Sequence, residues 1–484
     1  MIRITILPFD KHISVPAGTN LLSALRESGF APESPCGGNG TCGKCTVLID
    51  GVAVTACAVT VDRDLTVTVP QKKELQILTD GIDIHPVGKS KGYRLAFDIG
   101  TTTVAGVLLD PRGNSLAVDS APNPQAAHGA DVVSRIRAAL DGHMEALTTA
   151  IRNCLTEMTL ALCARETVEP EEIVLVSLVG NPAMQQLFLG ILPENLSHPP
   201  FPPVLTAVEI VKASAYLPCL KQADLLILPD ISGFVGADTL GCILATGMDT
   251  SDEMTLLVDI GTNGEMVLGS RHRLTACATA AGPALEGASI RFGMTARPGA
   301  IDHVHIENGT MVCHTIGGGS ATGICGSGLM DAVACALKLG LLNSRGKILH
   351  ESGVIRLTDT VFLTQEDIRQ IQMAKGAMAA GIRLLADKLS ISIDQIRRVY
   401  LAGAFGTYLD PESACRIGLL PPELAAKIEA VGNAALSGAK LLSPEPSILE
   451  RCRRLSAQTE AINLAQIPAF PRTFATCMRF DAEG

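Results

Sequence analysis

At 484 residues the chain has room for about three domains, and its composition, 47% hydrophobic and only 18% charged, is that of a globular protein with large cores. A formal net charge of −10 argues against a nucleic-acid or anionic-membrane partner. Tryptophan is absent and aromatics make up 3% of the chain, which leaves little for base-stacking surfaces.

In chain order, residues 2–7 and 11–15 alternate as the two strands of a hairpin, and 20–28 reads as a short helix capped by Thr19 or Asn20. A glycine-rich run follows, in which Cys36, Cys42, Cys45 and Cys57 stand as C-x5-C-x2-C-x11-C. Three thiolates on one tight loop and a fourth one hairpin later form the set that wraps a [2Fe–2S] cluster, whose two irons take four cysteines. Gly37, Gly38, Gly40 and Gly43 let the backbone curl round such a cluster with positive φ available. Zinc is the competing reading, because C-x2-C occurs there too. Residues 45–49 and 52–56 predict a hairpin across Asp50-Gly51, and 65–69 a last strand. This segment, 1–72, resembles the β-grasp ferredoxins, with a last-cysteine spacing nearer that of the cluster domains of molybdenum hydroxylases. Residues 73–92 read as a polar linker.

The remainder repeats itself. Residues 93–110 (YRLAFDIGTTTVAGVLLD) and 255–269 (TLLVDIGTNGEMVLG) each give an apolar strand ending in Asp, a Gly-Thr turn and a second strand. Each half then predicts a third strand, a fourth (173–180; 399–403) and a fifth (225–228; 428–431), so two related lobes are expected, 93–250 and 251–484. A turn of this kind offers N–H groups and hydroxyls to phosphate oxygens. The candidates are Gly100, Thr101, Thr102 and Thr103 in the first copy, and Gly261, Thr262 and Asn263 in the second. The duplication resembles the actin, heat-shock chaperone and sugar-kinase ATPase superfamily (ASKHA), with an RNase-H-like α/β fold. The resemblance implies that Asp98 and Asp259 face one another and hold Mg²⁺ through water, and Glu265 is expected to orient an attacking water. That resemblance places adenosine at the strand end carrying Gly403, Ala404 and Gly406.

Two further features stay open. The run 317–328 (GGGSATGICGSG) opens a helix at Leu329; a phosphate site, a partner-touching loop and a close-packed turn all fit. Gly376, on a long helix over 365–385, either opens the adenosine pocket or serves helix packing. The eleven cysteines outside the cluster set lack paired spacing and most sit in apolar runs, as free thiols do in a reducing cytosol. No signal peptide is read at the N-terminus, and the uncharged run 173–193 reads as a buried strand and helix.

Several strings resemble one family across nearly the whole length: 123–136 (NPQAAHGADVVSRI), 179–184 (VGNPAM), 231–238 (ISGFVGAD), 259–265 (DIGTNGE), 323–328 (GICGSG) and 401–406 (LAGAFG). These are the strings of the reductive activators of corrinoid proteins. The resemblance implies an iron–sulfur ATPase that consumes ATP while passing an electron through its cluster to a Co(II) corrinoid protein, making the Co(I) needed for methyl transfer. It implies a corrinoid protein as partner and a low-potential donor such as a ferredoxin or flavoprotein. Better-known members carry an extra dimerising domain after the ferredoxin; here the linker runs straight to the first lobe, which leaves a homodimer open. Three other readings compete: an activator of the 2-hydroxyacyl-CoA dehydratase type, a small-molecule kinase with an accessory cluster, and a non-enzymatic electron carrier.

Overall fold

A computed structural model describes residues 1–9, 11–28, 30, 32, 38, 40, 45–69, 81–82, 90–279, 282, 284–287 and 289–480, with the backbone alone at 404 and 405. Cys36, Cys42 and most of the linker lie outside the described residues.

The N-terminal sheet follows from alternation and one obligatory turn. Strands β1 (Ile2–Leu7), β2 (Lys11–Val15), β3 (Thr46–Ile49), β4 (Val52–Thr55) and β5 (Leu65–Thr68) are ordered β2-β1-β5-β3-β4, with β1 parallel to β5. Asp50 and Gly51 both have positive φ, 50° and 86°, the pair that a two-residue hairpin turn with matched twist requires. The helix Leu21–Glu27 starts at Asn20, whose side chain accepts a hydrogen bond from Ser23 N, and buries Leu21, Leu22 and Leu25 against Ile4, Ile6, Val47 and Val67. This is the β-grasp arrangement.

The rest is built on two sheets of one topology. In the first lobe, β6 (Tyr93–Ile99), β7 (Thr103–Leu109), β8 (Ser115–Pro122), β9 (Ile173–Gly180), β10 (Glu209–Lys212) and β11 (Asp224–Ile227) are ordered β10-β11-β9-β6-β7-β8. The second lobe begins with β12 (Thr255–Ile260), β13 (Gly264–Ser270) and β14 (Arg273–Thr279). Between β14 and the helix Gln365–Leu389 lies an insertion that no sequence pattern announced. It contains β15 (Ala300–Glu307), β16 (Thr310–Thr315), β17 (Gly323–Ile324), the helix Gly326–Lys338, β18 (Val354–Arg356) and β19 (Phe362–Thr364). Strands β20 (Arg398–Ala402), β21 (Ile428–Gly432) and β22 (Thr459–Ala461) complete the sheet β21-β20-β12-β13-β14-β22. Both lobes thus share three antiparallel strands followed by two parallel ones. They differ in the added edge strand, β10 in one and β22 in the other.

Central strands are buried on both faces, which is why β6, β9 and β12 read as near-continuous apolar runs. One core lies outside each sheet. A third is shared by the lobes and is filled by the helices Ala237–Thr246 and Ala434–Leu441, with Leu240, Ile243 and Leu436. These helices meet backbone to backbone: a Cβ built on Gly438 would lie 2.0 Å from Gly241 O. The linker touches this junction. Gly81 forms a β-bridge with Gly432, and a Cβ there would lie 2.7 Å from Asn433 O, while Ile82 packs against the shared core.

The two open features now have neighbours. Gly323 and Gly328 are close-packed, since added Cβ atoms would meet Phe292 O at 2.5 Å and Ile301 O at 2.4 Å, whereas Gly318 and Gly319 face open space. The helix there starts at Gly326, three residues before Leu329. Gly376 packs on the backbone of Met478, so it serves helix packing. No helix among the described residues is long and apolar enough to cross a membrane.

Candidate functional site: an acidic cleft between two Gly-Thr turns

Asp98 and Asp259 end equivalent strands, β6 and β12, and come close enough between the lobes for the charge of Asp259 to act on Asp98. Asp259 pairs in register with Glu265 on β13, so two carboxylates stand side by side on one sheet face, an arrangement that costs stability unless something offsets it. Asp98 Oδ2 accepts a 3.0 Å hydrogen bond from Asn433 Nδ2, which crosses from the other lobe. Asp259 Oδ2 accepts from the Cys242 thiol at 3.5 Å. Asp238, in the first turn of the helix that carries Cys242, completes the group.

All four carboxyls are half-buried, and desolvation lifts each of them. Asp98 is pushed up to about 7 by burial and by Asp238 and Asp259, against the pull of the Asn433 hydrogen bond. Asp238 rises to about 7 through burial and Asp259, and Asp259 to about 6 through burial. Glu265 is raised by burial and then by Asp238 and Asp259. Asp230, at the end of the first lobe's last strand, is only 4% exposed, and both of its oxygens lack a hydrogen-bond partner. Such a set demands protons or a cation. Among the described residues, no three His, Cys, Asp or Glu side chains converge into a direct metal cage.

The first Gly-Thr turn is locked from behind. A Cβ on Gly100 would lie 2.6 Å from Thr103 O, so only glycine fits. Asn123 donates from its side chain to Gly100 O (2.8 Å) and from its backbone to Thr102 O (2.8 Å). Arg135 Nη2 donates to Thr101 O (2.6 Å), and Asn181 Nδ2 to Thr101 Oγ1 (3.0 Å). Arg135 is fully buried, and desolvation lowers its pKa to about 10. Replacing it by leucine is expected to leave Thr101 O and Gly129 O unpaired, at a cost of about 2–4 kcal/mol. A urea midpoint unchanged from wild type would count against this role. In the second turn Gly261 N donates to Asn263 O (2.9 Å), and the Thr262 and Thr102 hydroxyls lie 2.8 Å apart across the cleft.

On the expected adenosine side, Gly403 (φ 87°) presses on the site itself, since a Cβ there would lie 2.7 Å from Asp259 Oδ1. Gly406 is buried against Leu401, and Ala404 lies in the same short helix, Gly403–Tyr408. In the N-terminal domain, Ala56 N donates to Cys45 O (2.8 Å), which brings buried Cys45 and half-buried Cys57 to the same open end of the β3–β4 hairpin. Gly38 and Gly40, before that hairpin, have φ of 101° and 75°. These features fit a four-thiolate cluster loop.

Comparison with known proteins agrees with this architecture. Residues 4–75 match the 2Fe-2S iron-sulfur cluster binding domain, residues 93–251 the middle region of RACo, and residues 253–484 the C-terminal, ASKHA domain of RACo. The corrinoid activation enzyme RamQ of Eubacterium limosum is 33% identical over 439 residues, covering 83% of this chain and 73% of RamQ. The chain belongs to the reductive activators of corrinoid proteins. The Co(II) methylated amine-specific corrinoid protein reductase of Methanosarcina barkeri is 32% identical over about half of each chain, 51% and 49%. A solved reductive activator for a corrinoid, iron–sulfur protein superposes with a TM-score of 0.71 at 27% identity, covering 99% of this chain and 98% of that one.

Within this activator, three residues of the family's strings acquire physical reasons. Asn123, Arg135 and Asn181 all brace the first turn. Sequence reasoning missed Asp230, Asp238, Cys242, Glu286 and Asn433 as site residues. A signal existed for Asn433: Val431-Gly-Asn433 repeats Val179-Gly-Asn181, and both asparagines end a strand and cap the next helix.

The raised carboxyls make a stability prediction. In the metal-free protein the folded state keeps protons that the unfolded chain releases near pH 4, so folding stability falls as pH rises from about 4 to about 7. Asp238→Asn removes one such group. In chelator at pH 8 it is expected to be more stable than wild type by about 1–2 kcal/mol, after discounting for solvent contact, with no difference at pH 4. A variant less stable than wild type at pH 8 would contradict this.

Proposed function

We propose that the chain is an ATP-dependent reductive activator that reduces an inactive Co(II) corrinoid protein to Co(I) for methyl transfer. The reading is carried by one observation: two Gly-Thr turns that meet between the lobes beside a cluster of carboxyls with raised pKa, in the same chain as a cysteine-bearing ferredoxin fold. Its relatives' names, a corrinoid activation enzyme and a Co(II) corrinoid protein reductase, support it.

The residues divide the work. The turns at Gly100–Thr103 and Gly261–Asn263 offer N–H groups and hydroxyls to the polyphosphate. Asp98 and Asp259 would hold Mg²⁺ through water, and Asp238, whose charge acts on Asp98, would add negative field once a cation displaces its proton. Glu265, beside Asp259, orients the attacking water, and Gly403, Ala404 and Gly406 receive the adenosine. Cys36, Cys42, Cys45 and Cys57 would hold the [2Fe–2S] cluster, which supplies one-electron chemistry when bound. Each 100 mV of uphill potential costs about 2.3 kcal/mol per electron, so nucleotide-driven lobe closure must bias the bound corrinoid protein and not merely contact it.

The test is anaerobic. The protein is mixed with a strong one-electron reductant, Mg-ATP and a Co(II) corrinoid protein from a methyltransferase system. Co(I) absorbance is expected only with every component present. Equal accumulation without ATP, at the same donor potential, would refute the coupling.

A further inference from the structure

Glu286 has no part in the scheme above, yet it occupies the centre of the cleft. Its Oε2 accepts from the Thr262 hydroxyl at 2.9 Å and from the Thr102 hydroxyl at 3.2 Å, and those hydroxyls lie 2.8 Å from one another. One carboxylate oxygen therefore takes the donors of both Gly-Thr turns, one from each lobe. Nothing else among the described residues bridges the two turns in this way. A phosphate oxygen seeks the same thing: a negative oxygen held by hydroxyl donors. Two anions cannot share these donors, because each hydroxyl has a single proton and their like charges repel in a half-buried site.

We infer that Glu286 is an internal anion that takes the place of a nucleotide phosphate when none is bound, and that it must leave both threonines when ATP enters. It is a built-in competitor, which lowers affinity for the polyphosphate and ties the lobes together until nucleotide arrives. The inference rests on the nucleotide reading above.

The experiment is calorimetric titration with a non-hydrolysable Mg-ATP analogue, and separately with adenosine, on the full chain carrying Glu286→Ala or Glu286→Gln. The analogue is expected to bind about tenfold tighter or more to the alanine variant, the worth of one hydrogen bond to a charged group, and less so to the glutamine variant. Adenosine, which lacks phosphate, is expected to bind all three proteins equally. Unchanged or weaker analogue binding in both variants overturns the inference. So does a drop in turnover with affinity unchanged, which would make Glu286 a catalytic group instead. Wild type that binds no analogue at all would sink the nucleotide reading itself. A crystal structure of wild type with the analogue gives an answer independent of any variant: a carboxylate still on both hydroxyls beside bound phosphate overturns the inference.

Discussion

Replacing Asp259 by alanine is expected to lower Mg-ATP turnover by about 100-fold or more, a few kcal/mol of lost charge stabilisation. Co(I) accumulation in the complete mixture should disappear with it. The fold should survive, because the removed carboxyl is one that burial holds near 6. Its loss relieves Glu265 and Asp98, which both feel its charge. Thermal unfolding at pH 8 without metal should therefore be unchanged or higher. Hydrolysis within a factor of a few of wild type would remove Asp259 from the metal-holding role.

Replacing Cys57 by alanine is the complementary lesion. Cys45 is wholly buried in the ferredoxin core, so its removal would confound cluster loss with a packing cavity. Cys57 is only partly buried, and the bond that fixes its backbone, Asn20 Nδ2 to Cys57 O at 2.9 Å, does not involve the thiol. The variant should purify with its visible cluster absorbance gone or severely depleted and less than about two irons per chain. Electron delivery should stop while nucleotide binding stays at the wild-type level, since the two parts have separate cores. A variant that keeps full iron content, or stoichiometric zinc in the wild type, would defeat the assignment of Cys57.

The features legible beforehand were those whose chemistry dictates a local spacing. Three cysteines expected on one tight loop and a fourth one hairpin later must be close in sequence, and Asp98 and Asp259 announce themselves through a repeated strand-turn-strand unit. Asp230, Asp238 and Glu286 could not be found that way, because each reaches the cleft from a different strand end or turn and gains its meaning only from the neighbours that folding supplies. Glu265 was placed from sequence because it sits one hairpin from Asp259 and pairs with it directly. The insertion between β14 and the helix Gln365–Leu389 stayed unread for another reason. Its strands β17, β18 and β19 have two or three residues each, too short to show a period. Only its glycine run was visible, and the two glycines that matter there, Gly323 and Gly328, answer to backbone atoms of Phe292 and Ile301 far along the chain.

The bridge between Gly81 and Gly432 alters how the ferredoxin is leashed. Tyr93 enters the first lobe, so the connection would seem to anchor there; instead the chain is pinned first at residue 81, on the second lobe, at the strand end beside Asn433. Only the eleven residues 70–80 then separate Val69, the residue after β5, from the mooring. Whatever path they follow, they span at most about 40 Å. The ferredoxin sheet is consequently held within that distance of the second lobe, and its point of attachment turns with that lobe. An electron's destination is thus restricted by geometry before any partner binds, and the mooring point is next to the asparagine that grips Asp98.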